Sequence, residues 1–382
     1  MSPSPAGMKA PLNRSVSILG TGAYLPSKLV TNEDLEKLVS NYDAASGDFS
    51  TWVDRVTHIH ERRFISSLEE NAGVMAAHAA KRALEMAGLK PTDLDLIIHA
   101  SFTPSITVPG DHVICADMLG AKATPSYTLM GACAGSVYGM GMAYGMIASG
   151  AMKRILVTGA ETISPTLDYS DPLTSILFGD GAGAVVLGAS DKGGGFLPPY
   201  MGFDYNWENI QMYNANLPFT GRSCATGGNG GPPAVERTSL KMISGPSVLR
   251  NAVGAMTDSV WRVLGYSDGA PNGGEGEDLR ARMRIIPHQA NGRIVDGLTK
   301  KLKTDEMRTT KTIYKVGNIS AASNLIAFDY AVRHGNYRVD REPETEKILA
   351  IHEVRDPIRK GDLVVLPSIG AGYLFGAVAF VW

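Results

Sequence analysis

Three short motifs carry residue types that could do chemistry together. Cys133 stands in Gly131-Ala132-Cys133-Ala134-Gly135, after the apolar approach Tyr127-Thr128-Leu129-Met130 and before a glycine-spaced, helix-like stretch. A cysteine at a strand-to-helix junction faces backbone N–H groups and the positive helix end. Both lower a thiol pKa and favour a thiolate nucleophile. A buried structural cysteine fits the same setting. His288, in Pro287-His288-Gln289-Ala290-Asn291, follows the strand-like Met283–Ile286, at the edge where α/β proteins bind ligands. Asn318 lies in Gly317-Asn318-Ile319-Ser320-Ala321-Ala322-Ser323, a tight turn where Asn also serves as an ordinary helix cap. Each residue alone has a structural explanation. Together, Cys, His and Asn at three loop–helix junctions point to thioester chemistry. The Cys would carry an acyl group, while a neutral His and an Asn amide donate hydrogen bonds to a developing oxyanion or enolate.

Other motifs fail on context. Gly20-Thr21-Gly22 lacks the third glycine of a dinucleotide fingerprint and runs into Tyr24-Leu25-Pro26 rather than a helix. Gly179-Asp180-Gly181-Ala182-Gly183 precedes a strand, so it offers no helix N-terminus to a phosphate. There is no Walker motif, no His-x-x-x-His pair and no Gly-x-Ser-x-Gly elbow. Cys115, Cys133 and Cys224 match neither a disulfide framework nor a metal signature, so no metal is expected and a reducing, cytoplasmic setting is.

The elements that must hold these residues alternate between strand and helix. Val16–Gly20 reads as a strand ending at a Gly turn, and Asp95–Ala100, Arg154–Gly159 and Gly183–Gly188 read as strands whose continuous apolar runs suit a parallel sheet. Thr31 or Asn32 caps a short acidic helix, and Asn71–Ala87 is a strong helix stopped at Gly88. A weak echo relates the two ends. Helix 71–87 leads through Gly88 to a strand at Leu94–His99. Helix Val248–Leu264 leads through Gly265 to Met283–Ile286. Two copies of one α/β unit would explain this.

Glycines at 135, 139, 141 and 145 are spaced to let another backbone approach a helix. Ala123–Met152 and Leu363–Trp382 are free of charge, but the first is rich in Gly and Ala and the second is broken by Pro367 and Gly370-Ala371-Gly372. They read as a buried helix and two buried strands rather than membrane spans. The chain divides into a flexible tail (1–15), a half carrying Cys133 (16–192), an insert rich in glycine and aromatics (193–238) and a half carrying His288 and Asn318 (239–382). Asp268–Glu277 reads as a short solvated loop. With 44% hydrophobic and 19% charged residues the 382-residue chain can bury a core, which excludes disorder. A net charge of −2 excludes a broad basic surface for nucleic acid. Glycine, at 43 residues, is the compositional outlier.

The three motifs, in this order, resemble those of β-ketoacyl-acyl-carrier-protein synthase III, a condensing enzyme of the thiolase superfamily. Gly20–Asn32, Glu61-Arg62-Arg63, Leu177–Leu187, Leu240-Lys241-Met242 and Gly361–Trp382 agree with it, so the likeness runs from about residue 16 to the end. The resemblance implies an α/β, thiolase-like, five-layered αβαβα fold of two pseudo-symmetric halves, acting as a homodimer. It implies that Cys133 is acylated and that His288 and Asn318 polarise the extender thioester. The backbone N–H groups of Cys133 and Ala371 would form the oxyanion hole. Substrates would arrive as coenzyme A or acyl-carrier-protein thioesters, with no cofactor. Asn291, Arg293, Lys300 and Lys301 would face the carrier or its substrate, although a solvated helix face explains the three cations equally.

The departures bear on the substrate. Family members that prime with coenzyme A clamp its adenine between a Trp and an Arg. Trp52 stands at the Trp position, but the Arg positions read Val56 and Pro172. A divergent ketosynthase fed by carrier proteins is therefore expected. Two alternatives share the fold: transfer of the acyl group to a hydroxyl or amine, and the joining of two long acyl or β-ketoacyl chains. The retained Asn318 argues against the first.

Overall fold

The computed structural model describes residues 14–190, 195–206, 210–212, 240–242, 245–271 and 273–382. Most of the 1–15 tail, most of the 193–238 insert and Cys224 lie outside the described residues.

The first sheet has strands β1 (Ser15–Tyr24), β2 (Leu96–Ala100), β3 (Ser126–Leu129), β4 (Arg154–Glu161) and β5 (Gly181–Ser190) in the order β1-β5-β4-β2-β3. The second has β6 (Tyr200–Asn206), β7 (Met283–Ile285), β10 (Leu363–Gly370) and β11 (Gly372–Val381) in the order β6-β11-β10-β7. Between β7 and β10 in the chain comes a separate hairpin, β8 (Asn336–Arg341) and β9 (Ile348–Val354).

The two sheets repeat one pattern. In the first, β1/β5 and β5/β4 are antiparallel and β4/β2 and β2/β3 parallel. In the second, β6/β11 and β11/β10 are antiparallel, β10/β7 is parallel, and a parallel bridge from Ile285 to Thr309 stands where β3 stood. The echo in the sequence is thus a repeat in space. The sheets are mixed, however, not parallel. The apolar run of β5 reflects burial on both faces, not parallel pairing: Gly181 to Gly188 are all buried.

Five layers follow from who packs on whom. Helices α2 (Ala72–Ala87) and α3 (His112–Leu119) cover the outer face of the first sheet. Helices α4 (Gly135–Ala148) and α7 (Ser323–Arg333) fill the space between the sheets. Helices α5 (Gly245–Val263) and α6 (Gly292–Leu302) cover the second sheet. Strand residues alternate between layers: Ile97 faces α2 and Ile98 faces α4, and Val364 faces the middle while Val365 faces α5. Both faces being dry, such strands carry no polar alternation.

Local signals behave as their chemistry requires. Thr31 caps helix Asn32–Glu36 in a reciprocal box with Asp34. Asn71 caps α2, and Gly88 ends it in the left-handed conformation at φ 64°. The glycine row of α4 differs from expectation. Gly135 and Gly139 rest on side chains of Ala100, Ile98 and Val157, Gly141 rests on Met201, and Gly145 meets nothing within 4 Å. These glycines admit side chains rather than a second backbone. The expected solvated loop at Asp268–Glu277 also shortens, because Gly274–Arg282 is a helix whose first turn holds Glu275 and Glu277 against its positive end. No helix among the described residues is long and apolar enough to cross a membrane.

Candidate active site

Cys133 lies in a 3-10 turn, Ala132–Ala134, that runs directly into α4. Its neighbour Ala132 has φ 45°, a strained value for a residue with a Cβ. The second half repeats the device: the 3-10 turn Ser320–Ala322 runs into α7, and Ser320 has φ 43°. The two elbows pack on each other. Glycines make this possible. A Cβ on Gly159 would strike the carbonyl of Ala321, and one on Gly370 would lie 3.0 Å from the Cys133 nitrogen. The Ser368 hydroxyl donates to the Cys133 carbonyl at 3.1 Å.

His288 follows β7, its N–H bonded to the Pro367 carbonyl at 2.9 Å. Asn324 on α7 ties the ends of β7 and β10 together by donating to the carbonyls of Ile286 and Pro367. Asn318 follows Gly317, which turns at φ 68°. Its backbone pairs with Leu177 and Gly179, its side-chain amide donates to the Ala290 carbonyl at 3.3 Å, and its side-chain oxygen accepts the Ser320 N–H at 2.8 Å. That last bond closes a local turn rather than a helix cap: the cap positions are Ile319 and Ala322, and neither carries a side-chain cap bond. Gly179-Asp180, rejected as a phosphate loop, is part of this support. Buried Asp180 accepts from the N–H groups of Ile65 and Ser164 and from the Ser164 hydroxyl.

Cys133, His288, Asn318 and Ala371 all line one cavity of about 1590 Å³. Its wall is mostly apolar, with Phe102, Leu177, Phe178 and Leu374 among its residues, and its charged lining residues are Arg250 and Arg293. Leu68, Met130 and Leu173 are exposed at 76%, 70% and 61% and also line it, so the rim is greasy.

The electrostatics revise one expectation. Burial pushes the Cys133 thiol up to about 11; the Ser320 hydroxyl and the turn's own N–H lower it less, and Glu161 raises it further. Desolvation outweighs the helix start, so the resting group is a thiol, not a thiolate. Burial also pushes His288 down to about 3, so its imidazole is neutral, and its Nδ1 has no hydrogen-bond partner among the described residues. Glu161, at the end of β4, accepts from the Ser101 and Thr103 hydroxyls and the N–H groups of Phe102 and Thr103, yet burial still lifts it to about 7.

The remaining expected residues are scattered. Trp52 packs among Tyr42 and Phe49, ring centroids 5.0 and 5.8 Å away, and is not part of the cavity wall. Val56 lines the cavity. Pro172 opens the short helix Pro172–Ser175, and its neighbour Leu173 reaches the cavity. Asn291 lines the cavity, but its amide caps α6 at Arg293 and holds the Val56 carbonyl. Arg293 is at the rim. Lys300 and Lys301 occupy the last turn of α6, about 10 Å further along the helix axis. Arg250, Glu161, Ser320 and Asn324 were not foreseen. Ser320 stands inside the Asn318 motif but nothing local marks its role, and no motif marks the other three, because these roles come from long-range packing.

Among the described residues no group of three His, Cys, Asp or Glu could hold a metal ion. In comparisons with known proteins, residues 127–204 match the family described as 3-Oxoacyl-[acyl-carrier-protein (ACP)] synthase III, and residues 276–341 match its C-terminal part. The chain is 35% identical over 372 residues to the beta-ketoacyl-[acyl-carrier-protein] synthase III of Desulfitobacterium hafniense, covering 96% of this chain and 98% of that protein. It superposes on a crystal structure of 3-oxoacyl-[acyl-carrier-protein] synthase III from Aquifex aeolicus with TM-score 0.76 and 31% identity, covering 96% of this chain and 100% of that one. The priming beta-ketosynthase of the R1128 polyketide pathway gives TM-score 0.78 at 27% identity, covering 98% of both chains.

A thiol held near 11 is about one part in ten thousand thiolate at neutral pH. Alkylation of Cys133 by iodoacetamide, followed by peptide mass spectrometry, should therefore speed up about tenfold per pH unit from roughly pH 7 to 10. A plateau near pH 8 would refute the raised pKa.

Proposed function

The chain belongs to the 3-oxoacyl-[acyl-carrier-protein] synthase III family, and on that premise we propose how its residues share the work of a ketosynthase in fatty-acid or polyketide biosynthesis. The observation that carries this reading is the convergence of Cys133, His288, Asn318 and Ala371 on one apolar cavity. Cys133 attacks the acyl donor's thioester. Its proton passes through neutral His288 to the departing carrier thiolate. A malonyl- or β-ketoacyl-type thioester then binds. In the malonyl case the carboxylate leaves as carbon dioxide and its electron pair forms an enolate. That oxyanion receives hydrogen bonds from the His288 ring and the Asn318 amide. The enolate carbon attacks the acyl-Cys133 carbonyl, whose oxygen is received by the N–H groups of Cys133 and Ala371. Collapse releases the β-ketoacyl product and expels the Cys133 thiolate, which takes a proton from water to replace the one that left with the carrier thiol. No step calls for a cofactor.

Acyl carrier protein is the fitting partner. Arg250 and Arg293 at the rim offer charge to a phosphopantetheine phosphate or an acidic carrier helix, and Lys300 and Lys301 extend that face. A coenzyme A nucleotide would instead meet Val56, Pro172 and Leu173, which hold no charge, and a Trp52 already packed on its neighbours. The cavity exceeds the roughly 300–1,000 Å³ of ordinary ligand pockets. That favours long or bulky acyl chains, including the joining of two of them. We also infer a cytoplasmic homodimer. Strand β3 is an edge of the first sheet, only half-buried, and Met130 beside it is exposed.

Three outcomes test this. Incubation with acyl thioesters should add the acyl mass at Cys133, and Asn318→Ala should still acylate but lose condensation by about a hundredfold or more; full condensation would refute the role of Asn318. Carrier-borne donors should exceed coenzyme A donors in kcat/KM by about tenfold, the worth of one lost charged contact; equal values would overturn the donor assignment. Light scattering should give twice the 40.6 kDa chain mass, and a single-chain mass would remove the dimer.

A further inference from the structure

Behind the cavity rim lies a set of ionisable side chains that the reaction does not use. His58 ends helix α1 (Phe49–Thr57) in the left-handed conformation, φ 59°. Its Nδ1 lies 3.1 Å from one oxygen of Asp296 on α6. The other oxygen of Asp296 lies 2.8 Å from the Lys311 ammonium, and Glu306 stands 3.6 Å from that ammonium. Lys311 is almost fully enclosed, its side chain 7% exposed, and that of His58 is 11% exposed. Burial pushes the Asp296 carboxyl up, but His58 and Lys311 outweigh it and hold the group at about 2, so it is charged.

The joint is shaped to receive these groups. A Cβ on Gly292 would collide with the Cβ of His58, so a glycine there lets α6 sit directly on the end of α1. Lys311 is fixed from its own side. Its N–H donates to the buried Asn336 side chain at the foot of the β8–β9 hairpin, and Asn336 also donates to the Thr309 carbonyl at 2.7 Å. Thr310 donates to Ile285 of β7, and Gln289 accepts the Ile313 N–H.

What stands in front of this cluster matters. Val56 and Thr57, immediately before His58, line the cavity. So do Asn291, Arg293 and Ile294, the turn of α6 before Asp296. One hydrogen bond joins the two walls at the front, from the Asn291 amide to the Val56 carbonyl. The ion cluster joins them at the back. The Asp296 side chain is 39% exposed, so its contacts contribute little net stability, but the enclosed Lys311 ammonium needs its carboxylate, and that need fixes the geometry. A cluster of this kind between two cavity walls is better suited to setting a distance than to holding the fold.

We propose that His58, Asp296 and Lys311 form a positioning strut that sets the spacing between the Val56 and Arg293 walls, and thereby the fit of carrier-borne thioesters at the cavity mouth. The inference rests on the ketosynthase reading for its substrate. The strut itself is a statement about how α1, α6 and the Lys311 segment pack.

Lys311→Met and the charge-balanced pair Asp296→Asn with Lys311→Met should raise KM for acyl-carrier protein about tenfold with kcat within about twofold. Acylation of Cys133 by an acyl N-acetylcysteamine thioester, which lacks the carrier, should stay at the wild-type rate. Lys311→Arg should restore the carrier KM. Backbone hydrogen exchange should quicken over residues 53–58 and 291–296 while α2 keeps wild-type protection. Unchanged carrier KM and unchanged exchange in both variants would overturn the strut. So would a parallel loss with both substrates, which is the mark of general destabilisation. Wild-type protein that accepts no thioester would sink the ketosynthase reading, and the exchange measurement would still decide the strut.

Discussion

Two strained turns meeting at the centre of the molecule govern the rest of its design. Ala132 and Ser320, each with a positive φ, begin the two central helices, and the turns they open pack on each other. Neither turn would hold that conformation alone. Gly159 lets the second turn lie on β4, and Gly370 lets the end of β10 lie on the first. The sheets, repeated over four strands, exist on this view to bring two helix starts together, one carrying Cys133 and the other following Asn318. The five layers then follow, because each sheet must be dry on both faces.

The electrostatic character of the site comes from the same enclosure. A side chain placed between two sheets loses water, and lost water raises a thiol and lowers an imidazole. Cys133 near 11 and His288 near 3 are two readings of one environment. Both groups therefore rest uncharged. A neutral imidazole can take a proton from sulfur and can donate a hydrogen bond to an enolate, two roles an imidazolium could not combine. Glu161, held near 7 by burial against four donors, raises the thiol further, but by less than desolvation does.

Much of this was legible in the residues, for identifiable reasons. Cys133, His288 and Asn318 sit at junctions, and junctions are marked locally by glycine, proline and small residues. The repeat was legible because α2 and α5 end alike before a strand. Other features depend on distant contacts and leave no local mark. The antiparallel course of β5 cannot be read from a run of apolar residues, since burial on two faces gives the same run in either direction. The raised thiol was missed because a helix start predicts the opposite sign, and only the packed structure shows that desolvation is larger. Trp52 occupies its expected place in the sequence, yet its ring is taken by Tyr42 and Phe49, which lie up to ten residues away. The Lys311–Asp296–His58 cluster joins three segments that share no motif.

The near-symmetry of the two halves has a mechanical side. Cys133 belongs to the first half, while His288, Asn318 and Ala371 belong to the second. The proposed reacting centre is thus assembled across a plane of contact rather than within one unit. A small sliding of one sheet over the other would separate the sulfur from the groups that steady its product, while leaving each half's own strands and helices intact. The Ser368–Cys133 bond and the stacked turns resist that shear directly. In such a molecule the register between halves is itself a catalytic coordinate, and residues on that plane, however remote from substrate, answer for the alignment of the chemistry.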